Sequence, residues 1–328
     1  MPAVGSRRCG AILEWYCGVL PESVVPEEVV AGVPRVCFIV NPTAGHGRAL
    51  TTWKRIEPLA ATLVEAYSVK FTERPRHGEE LAREAAAEGF DRVIALGGDG
   101  TLNEVGNGLV GTNTALAIIP TGTGNDWVRT VGIPRDLEAA TRIACQGRRT
   151  KMDVGLAVGY RYFFNIAGIG FDAEVSRSVN DYGPWLKAIG GTLPSLLGIV
   201  HTLFRFTGAK VTVQLDDKSL VIPRMLLMAV GIASYFGGGM KVLPDAVIDD
   251  GLFDIVWADD LGRLQLIHLV TKIYEGKHVG HPKVMFSRAK RVVATADSPV
   301  AFHLDGDVAG NLPVTFEMKA GSIDVILP

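Results

Sequence analysis

Cysteine is scarce in this sequence, with four residues in a chain of 328. Cys9, Cys17, Cys37 and Cys145 have the spacing of neither a zinc site nor a disulfide framework. Cys37 lies inside an apolar run, which predicts a core residue. A reducing cytosol is therefore the expected compartment, and a small disulfide-stapled domain is not.

The sequence also lacks a strong net charge and a long apolar run. The net charge is −2, so no overall field draws the chain to nucleic acid or to anionic membrane. Residues 11–20 and 186–206 are interrupted by charged residues, and neither stretch is suited to span a bilayer. Residues 1–33 also lack the apolar core and cleavage site of a signal peptide, and we expect a poorly ordered or interfacial extension.

Length and composition indicate a globular chain with two domains. The 328 residues are too many for one ordinary core, and 48% hydrophobic with 21% charged residues excludes a disordered chain. We see no internal repeat or low-complexity tract.

Residues 34–150 alternate short apolar strands with helical segments. Strands are predicted at 36–40, 67–71, 92–96 and 115–119, and helices at 49–66, 78–88 and 101–110. Such alternation implies parallel βαβ units. The pattern predicts an N-terminal α/β domain with an open, mostly parallel sheet.

Residues 151–328 instead contain many short strands separated by turns. Strands are predicted at 154–158, 162–166, 210–215, 225–232, 253–257, 291–295, 300–304, 314–318 and 323–326, and helices at 188–206 and 261–275. This texture predicts a C-terminal antiparallel β-sandwich or barrel, whose last strand is able to return to the first domain.

Three glycine-bearing loops follow three predicted strands of the first domain. They are Asn41-Pro42-Thr43-Ala44-Gly45, Gly97-Gly98-Asp99-Gly100-Thr101 and Pro120-Thr121-Gly122-Thr123-Gly124-Asn125-Asp126. Ligands bind open parallel sheets at the carboxyl ends of strands, so these loops would form one site. Glycine lets backbone N–H groups approach a phosphate, and helices starting near Arg48 and Thr101 would point their positive ends at it.

Side chains in these loops suit a phosphate and a cation. The hydroxyls of Thr43, Thr101 and Thr123 could donate to phosphate oxygens. Asp99 and Asp126 would repel a bare phosphate and are better suited to hold Mg2+ or to orient a loop. The chain has neither a P-loop motif nor a Gly-x-Gly-x-x-Gly after its first strand, which argues against both of those nucleotide folds.

These loops, with Leu102-Asn103-Glu104-Val105, resemble the diacylglycerol kinase catalytic-domain family over roughly residues 34–328. Bacterial soluble lipid kinases share this layout, and sphingosine and ceramide kinases are relatives. The resemblance implies an α/β domain and a β-sandwich domain that enclose a cleft, with ATP on the glycine loops. The implied nucleotide contacts are Asn41, Thr43, Gly45, Gly97, Gly98, Asp99, Gly100, Thr101, Leu102, Asn103, Glu104, Thr123, Asn125 and Asp126.

Two further segments of the second half carry the resemblance. The glycines of 236–240, followed by 244–252, resemble the family loop for a structural Mg2+, whose implied ligands are the carbonyls of Val247 and Leu252 and the carboxylate of Asp250. On residue chemistry alone, that loop is also typical of an acidic turn.

Leu304-Asp305-Gly306-Asp307 stands where the family usually has Asp-Gly-Glu, whose final acid is its proposed general base. Asp307 is one methylene shorter, so the base is either Asp307, Asp99 or a water held by Asp305. The same residues are also typical of a plain hairpin turn.

The predicted function is an ATP- and Mg2+-dependent kinase that phosphorylates a lipid hydroxyl, with diacylglycerol as the first candidate. The enzyme is expected to be cytoplasmic with transient peripheral membrane contact, to bind no nucleic acid, and to be able to form a homodimer through an edge strand. Residues 185–206 are either a buried helix or an acyl-chain groove or membrane-contacting lip, whose basic residues would meet lipid headgroups. The alternatives are an NAD kinase, a phosphofructokinase-type sugar kinase and a non-catalytic nucleotide or lipid sensor.

Overall fold

The computed structural model describes residues 34–181 and 208–328 of the chain. The first of these parts opens with alternating strands and helices. Their bounds are β1 Val36–Val40, α1 Ala44–Leu63, β2 Tyr67–Phe71, α2 His77–Ala87, β3 Arg92–Gly97, α3 Asp99–Leu109, β4 Ala115–Pro120, α4 Asp126–Val131 and α5 Leu137–Gln146. The four strands pair in parallel in the order β2-β1-β3-β4, which confirms the predicted α/β domain.

The second domain consists mainly of antiparallel strands. The bounds of its elements are β5 Arg148–Ala157, β6 Tyr162–Phe163, β7 Ile166–Gly170, α6 Phe171–Asp181, β8 Ala209–Leu215, β9 Lys218–Gly231, β10 Tyr235–Phe236, β11 Met240–Lys241, β12 Phe253–Asp259, α7 Arg263–Ile273, β13 Val284–Ala289, β14 Arg291–Ala296, β15 Ala301–Leu304, β16 Asp307–Asn311 and β17 Val314–Leu327. This part confirms the predicted antiparallel β-sandwich. No helix among the described residues is long and apolar enough to cross a membrane.

The last strand, β17, joins the two domains. It pairs antiparallel with β14 and β5, and it pairs in parallel with β4 where Val325 faces Leu116. The resulting sheet follows the path β16-β15-β7-β9-β8-β14-β17-β4-β3-β1-β2. A register shift between Lys319 and Ile323 lies at the gap between the two predicted strands 314–318 and 323–326, which form one continuous strand.

Every residue of β1 is buried because helices cover both faces of the parallel sheet. Phe38 packs with Trp53 of α1 on one face. Cys37 packs with Leu81 of α2 and with α3 on the other. Burial raises the pKa of Cys37 to about 12, so this residue is an unreactive member of the core, as predicted.

Several predicted boundaries differ from the structure. The helices α1 and α3 begin at Ala44 and Asp99, earlier than predicted, so the glycine loops supply their first turns. The single strand predicted at 162–166 is divided into β6 and β7, because the amides of Phe164 and Asn165 donate to the Asp305 carboxylate instead of to a neighbouring strand. The sequence pattern did not predict the strands β10, β11, β13 and β16 or the helices α4, α5 and α6.

Residues 1–33 and the predicted helix at 188–206 lie outside the described residues, and so does the proposed acyl-chain groove at 185–206.

The carboxylate of Asp153 in β5 ties two turns to the joined sheet. Its two oxygens accept hydrogen bonds from the amides of Gly251 and Gly321, at 2.6 and 2.7 Å, and the residue is only 2% exposed. Hydrogen bonds to a charged acceptor are stronger than neutral ones, so both turns depend on this side chain.

We expect Asp153→Ala to lower the free energy of unfolding by about 2 kcal/mol, because both glycine amides lose a charged acceptor. Urea denaturation followed by circular dichroism measures the change. Asp297→Ala is the matched control, since the Asp297 side chain is 86% exposed and its ion pair with Lys210, at 3.5 Å, lies at the surface. Equal stability of the two variants would contradict the assignment.

Candidate functional site

The loops after β1, β3 and β4 meet at the carboxyl edge of the parallel sheet. Asn41 Nδ2 donates to Thr101 Oγ1 at 3.0 Å, which joins the first loop to the second. The amide of Thr121 donates to the Gly97 carbonyl oxygen at 2.8 Å, which joins the third loop to the second. A β carbon on Gly45 would collide with the Thr121 carbonyl oxygen, so the first and third loops are also in contact.

Gly98 and Gly122 bring the second and third loops into backbone contact. A β carbon on Gly122 would lie 2.6 Å from the Gly98 Cα atom, and one on Gly98 would lie 3.1 Å from the Gly122 Cα atom. Only a pair of glycines permits this approach. Gly100, in contrast, faces open space, with no atom within 4 Å of a built β carbon. The backbone at the start of α3 is therefore accessible to a ligand.

The three threonines have different surroundings. Thr43 is exposed, and both its amide and its hydroxyl donate to Asn41 Oδ1, at 3.0 and 2.8 Å. Thr123 is exposed at the third loop. Thr101 is 3% exposed, and its hydroxyl oxygen accepts from Asn41. Thr43 and Thr123 are thus accessible to a ligand, whereas Thr101 holds two loops together.

Two carboxylates flank Gly124 in the third loop. A β carbon there would lie 3.2 Å from Asp99 Oδ2 and 3.6 Å from Asp126 Oδ2. Asp99 Oδ1 accepts from the Trp127 amide at 3.1 Å, which holds it beside the start of α4. Asp126 is 5% exposed and accepts from the Gly238 amide at 2.8 Å.

Burial, with a smaller contribution from the neighbouring charge of Asp99, raises the pKa of Asp126 to about 6. Asp126 Oδ1 is buried and accepts no hydrogen bond from the described residues; its nearest cation is Arg129, with Nε at 3.8 Å. A buried carboxylate oxygen without a donor, next to a second carboxylate, fits Mg2+. The described residues contain no group of three or more His, Cys, Asp or Glu side chains arranged to bind a metal ion. The ion would therefore take its other oxygens from water and phosphate.

Three predicted nucleotide contacts in α3 are engaged elsewhere. Leu102 is 2% exposed and packs in the hydrophobic core. The Glu104 carboxylate accepts from the amides of Arg76 and Gly78, at 2.9 and 3.1 Å, at the start of α2. Asn103 Nδ2 donates to Asp305 Oδ2 at 2.7 Å. These side chains support the loop from behind and do not line its open face.

Asn125 also shapes the third loop from within. It adopts a left-handed backbone conformation with φ of 51°, and its Nδ2 donates to the Gly122 carbonyl oxygen at 2.9 Å. The bond closes a tight turn just before α4, which sets the position of Asp126.

Asp305 and Gly306 form the two-residue turn between β15 and β16, with φ of 50° and 97°. An Asp-Gly pair tolerates this conformation best. The Asp305 carboxylate accepts from the amides of residues 164–166, at 2.8 to 3.0 Å, and from Asn103 of α3. Burial raises the pKa of Asp305, while these hydrogen bonds act to lower it. With four donors on its oxygens, Asp305 anchors the turn.

Asp307 is the accessible acid of this turn. Its side chain is 73% exposed and pairs with Arg161 Nη2 at 2.8 Å, and the same guanidinium nitrogen donates to the Leu304 carbonyl oxygen at 3.3 Å. The preceding residue, Gly306, lies against the ring of Phe236, with a built β carbon 4.0 Å away. Phe236 opens the segment whose Gly238 amide binds Asp126, so the turn and the glycine loops are neighbours.

The family resemblance assigned the segment 236–239 to the structural Mg2+ loop and did not predict that it contacts the glycine loops. Its three consecutive glycines, 237 to 239, all have positive φ, and Gly239 packs against the guanidinium of Arg129. Such a run of glycines is the one sequence signal that could have indicated close backbone approach.

The residues predicted for a structural Mg2+ do not gather around a free carboxylate. Asp250 pairs with Arg288 through one oxygen and accepts from the Leu252 amide at 3.0 Å through the other. Arg288 also pairs with Asp254, with Nε at 3.3 Å, and Val247 is 43% exposed. Asp250 is therefore paired with a guanidinium in this structure, and its role as a ligand of a structural Mg2+ stays a prediction.

Two family models match this chain. The diacylglycerol kinase catalytic domain matches residues 35–157, and the YegS C-terminal NAD kinase beta sandwich-like domain matches residues 165–327. They divide the chain into an α/β part and a β-sandwich part, in agreement with the fold.

Curated relatives and solved structures agree with the family models. A diacylglycerol kinase of Staphylococcus epidermidis is 31% identical over 300 residues, which is 90% of this chain and 92% of the relative. A diacylglycerol kinase of Staphylococcus aureus is 32% identical over the same shares of both chains. A diacylglycerol kinase structure from Bacillus anthracis has the same fold, with a TM-score of 0.71, 24% identity and coverage of 91% of this chain and 98% of that one. The chain therefore belongs to the diacylglycerol kinase family of lipid kinases.

Proposed function

We propose that this protein transfers the γ-phosphoryl group of ATP, with Mg2+, to the hydroxyl of diacylglycerol, which yields phosphatidic acid. One observation carries the proposal: the backbone contact between Gly98 and Gly122 lies beside the carboxylates of Asp99 and Asp126. Backbone amides suit phosphate oxygens, and paired carboxylates suit the accompanying cation. The choice of diacylglycerol rests on the relatives that carry that name.

Different residues of the chain would carry out different parts of the reaction. The glycine loops would hold the phosphates in line with the acceptor, which removes much of the entropic barrier. Asp99 and Asp126 would hold Mg2+, whose charge stabilises the negative charge of the phosphates. Asp307 would accept the proton of the attacking hydroxyl, and Arg161 at 2.8 Å would keep its carboxylate in place.

Diacylglycerol resides in membranes, so the protein would act at a membrane surface through transient, peripheral contact. An NAD kinase activity is the second candidate, because the family model of the second domain is described as NAD kinase beta sandwich-like. An assay with radiolabelled ATP and Mg2+ would compare diacylglycerol in detergent, sphingosine, NAD and buffer alone. Label in phosphatidic acid supports the proposal, and label only in NADP or only in free phosphate would refute it.

Asp307→Asn should lower kcat by about 100-fold or more, because the amide cannot accept the hydroxyl proton. The dissociation constant of Mg-ATP should stay within about twofold, since Asp307 does not lie on the glycine loops. Asp307→Glu should remain active, as it restores the acid usual in the family. Steady-state kinetics and calorimetry measure both quantities, and a fully active Asn variant would show that another group is the base.

Gly100→Ala should weaken Mg-ATP binding by about tenfold while leaving the fold intact. A β carbon at Gly100 meets no protein atom, so any loss of affinity reports on a ligand that approaches the backbone there. Gly262→Ala is the matched control, because Gly262 also lies at the start of a helix without positive φ, and the atom nearest to its built β carbon is Gln265 Oε1 at 3.5 Å. Unchanged affinity in the Gly100 variant would place the phosphates elsewhere.

The affinity for Mg-ATP should depend on the protonation of Asp126. A pKa of about 6 leaves Asp126 ionised at pH 7.5 and mostly protonated at pH 5, so its contribution to holding Mg2+ is lost as the pH falls. The ratio of wild-type to Asp126→Asn affinity should therefore fall by about tenfold between these pH values. Protonation of ATP itself cancels in this ratio, and a constant ratio would argue against a role for Asp126.

A further inference from the structure

A buried histidine lies directly beneath the turn that carries Asp305 and Asp307. His303 of β15 is 0% exposed, and its ring stacks on Phe236 with the centroids 4.9 Å apart and 13° between the planes. Its Nδ1 lies 3.2 Å from the amide nitrogen of Gly306, and its Nε2 lies 3.3 Å from Asp172 Oδ2. None of the roles assigned above uses His303 or Asp172.

The two contacts of His303 determine its tautomer. The Gly306 amide can only donate, so Nδ1 must be the unprotonated nitrogen that accepts. The ring proton then lies on Nε2 and points at the carboxylate of Asp172, in the first turn of α6. Asp172 therefore fixes both the tautomer and the orientation of the ring.

The neighbouring backbone leaves room for this pair. Gly168 of β7 is the ladder partner of His303, and a β carbon on it would collide with both Asp172 Oδ2 and His303 Nε2. Because Gly168 has no side chain, the Asp172–His303 contact fills the space that a side chain would otherwise take. This space indicates that β7, β15 and α6 are packed around the pair.

We propose that Asp172 and His303 are positioning residues that hold the Gly306 amide and thereby set the direction of Asp307. The inference rests on the proposed function, in which Asp307 accepts the proton. Asp305 anchors one side of the turn through its four hydrogen bonds, and His303 anchors the other. Arg161 holds the exposed carboxylate of Asp307 at its tip, and the backbone of the turn sets where that side chain begins.

A matched pair of substitutions separates the two contacts of the ring. In His303→Asn the amide oxygen can reach the position of Nδ1 and accept from Gly306, whereas in His303→Gln the amide reaches Nε2 and leaves Gly306 without an acceptor. We expect kcat to fall by about tenfold or more in the Gln variant and by less in the Asn variant. Mg-ATP affinity should stay within about twofold in both, because the glycine loops are unchanged.

Two further variants complete the kinetic test. Asp172→Asn is a conservative change that leaves the fold intact, and it should lower kcat in the same direction as His303→Gln. His278→Gln is the control for loss of a buried imidazole, since His278 is 1% exposed and its Nε2 lies 2.9 Å from the Val242 carbonyl oxygen. It should lower the melting temperature and leave kcat unchanged. Wild-type kcat in His303→Gln would overturn the inference and leave the proposed function standing.

Hydrogen exchange tests the same inference without any activity. The Gly306 amide should exchange about tenfold faster in His303→Gln and Asp172→Asn than in the wild type, with β1 and β3 unchanged. If the wild type phosphorylates no lipid, the proposed function fails, and the exchange rate still decides whether His303 holds the turn. Equal Gly306 exchange in wild type and variants would overturn the inference.

Discussion

The contact between the backbones of Gly98 and Gly122 is the constraint on which the rest of the site depends. A β carbon on Gly122 would lie 2.6 Å from the Gly98 Cα atom, so the loops that leave β3 and β4 can touch here only because neither residue carries one. The contact exposes the backbone at the start of α3 and places Asp99 and Asp126 around Gly124. Burial of Asp126 at this place raises its pKa to about 6, which leaves a carboxylate that would gain from a bound cation.

Three contacts of different kinds join the second domain to the first. The Gly238 amide donates to Asp126, Asn103 of α3 donates to Asp305, and β17 pairs with β4. Each contact links a loop, helix or strand of the first domain to a strand or turn of the second. The hairpin that carries Asp307 is thereby tied to the helix that follows the second glycine loop, and the acid and the loops cannot move independently.

Local patterns predicted the parallel sheet well, because β1, β3 and β4 are short apolar runs that end at or just before glycine or proline, and β2 alternates apolar with polar residues. They failed where a distant side chain captured the backbone: the Asp305 carboxylate binds the amides of Phe164 and Asn165 and divides a predicted strand. The family resemblance assigned Glu104 to the nucleotide, whereas the Glu104 carboxylate caps α2. A motif indicates which backbone approaches a ligand, but it does not show where each of its side chains points.

The sequence alone determined the α/β class of the first domain, the position of the three glycine loops and the family, because these follow from local patterns and from the identity of residues in a run. The tertiary structure alone decided that Asp305 is an anchor and Asp307 the accessible acid, that Arg288 neutralises Asp250, and that His303 and Asp172 meet beneath the turn. The pairs Asp307–Arg161, Asp250–Arg288 and His303–Asp172 are separated by 38 to 146 residues along the chain. Only the folded chain brings such residues together, since charge and hydrogen-bond partners depend on distance in space.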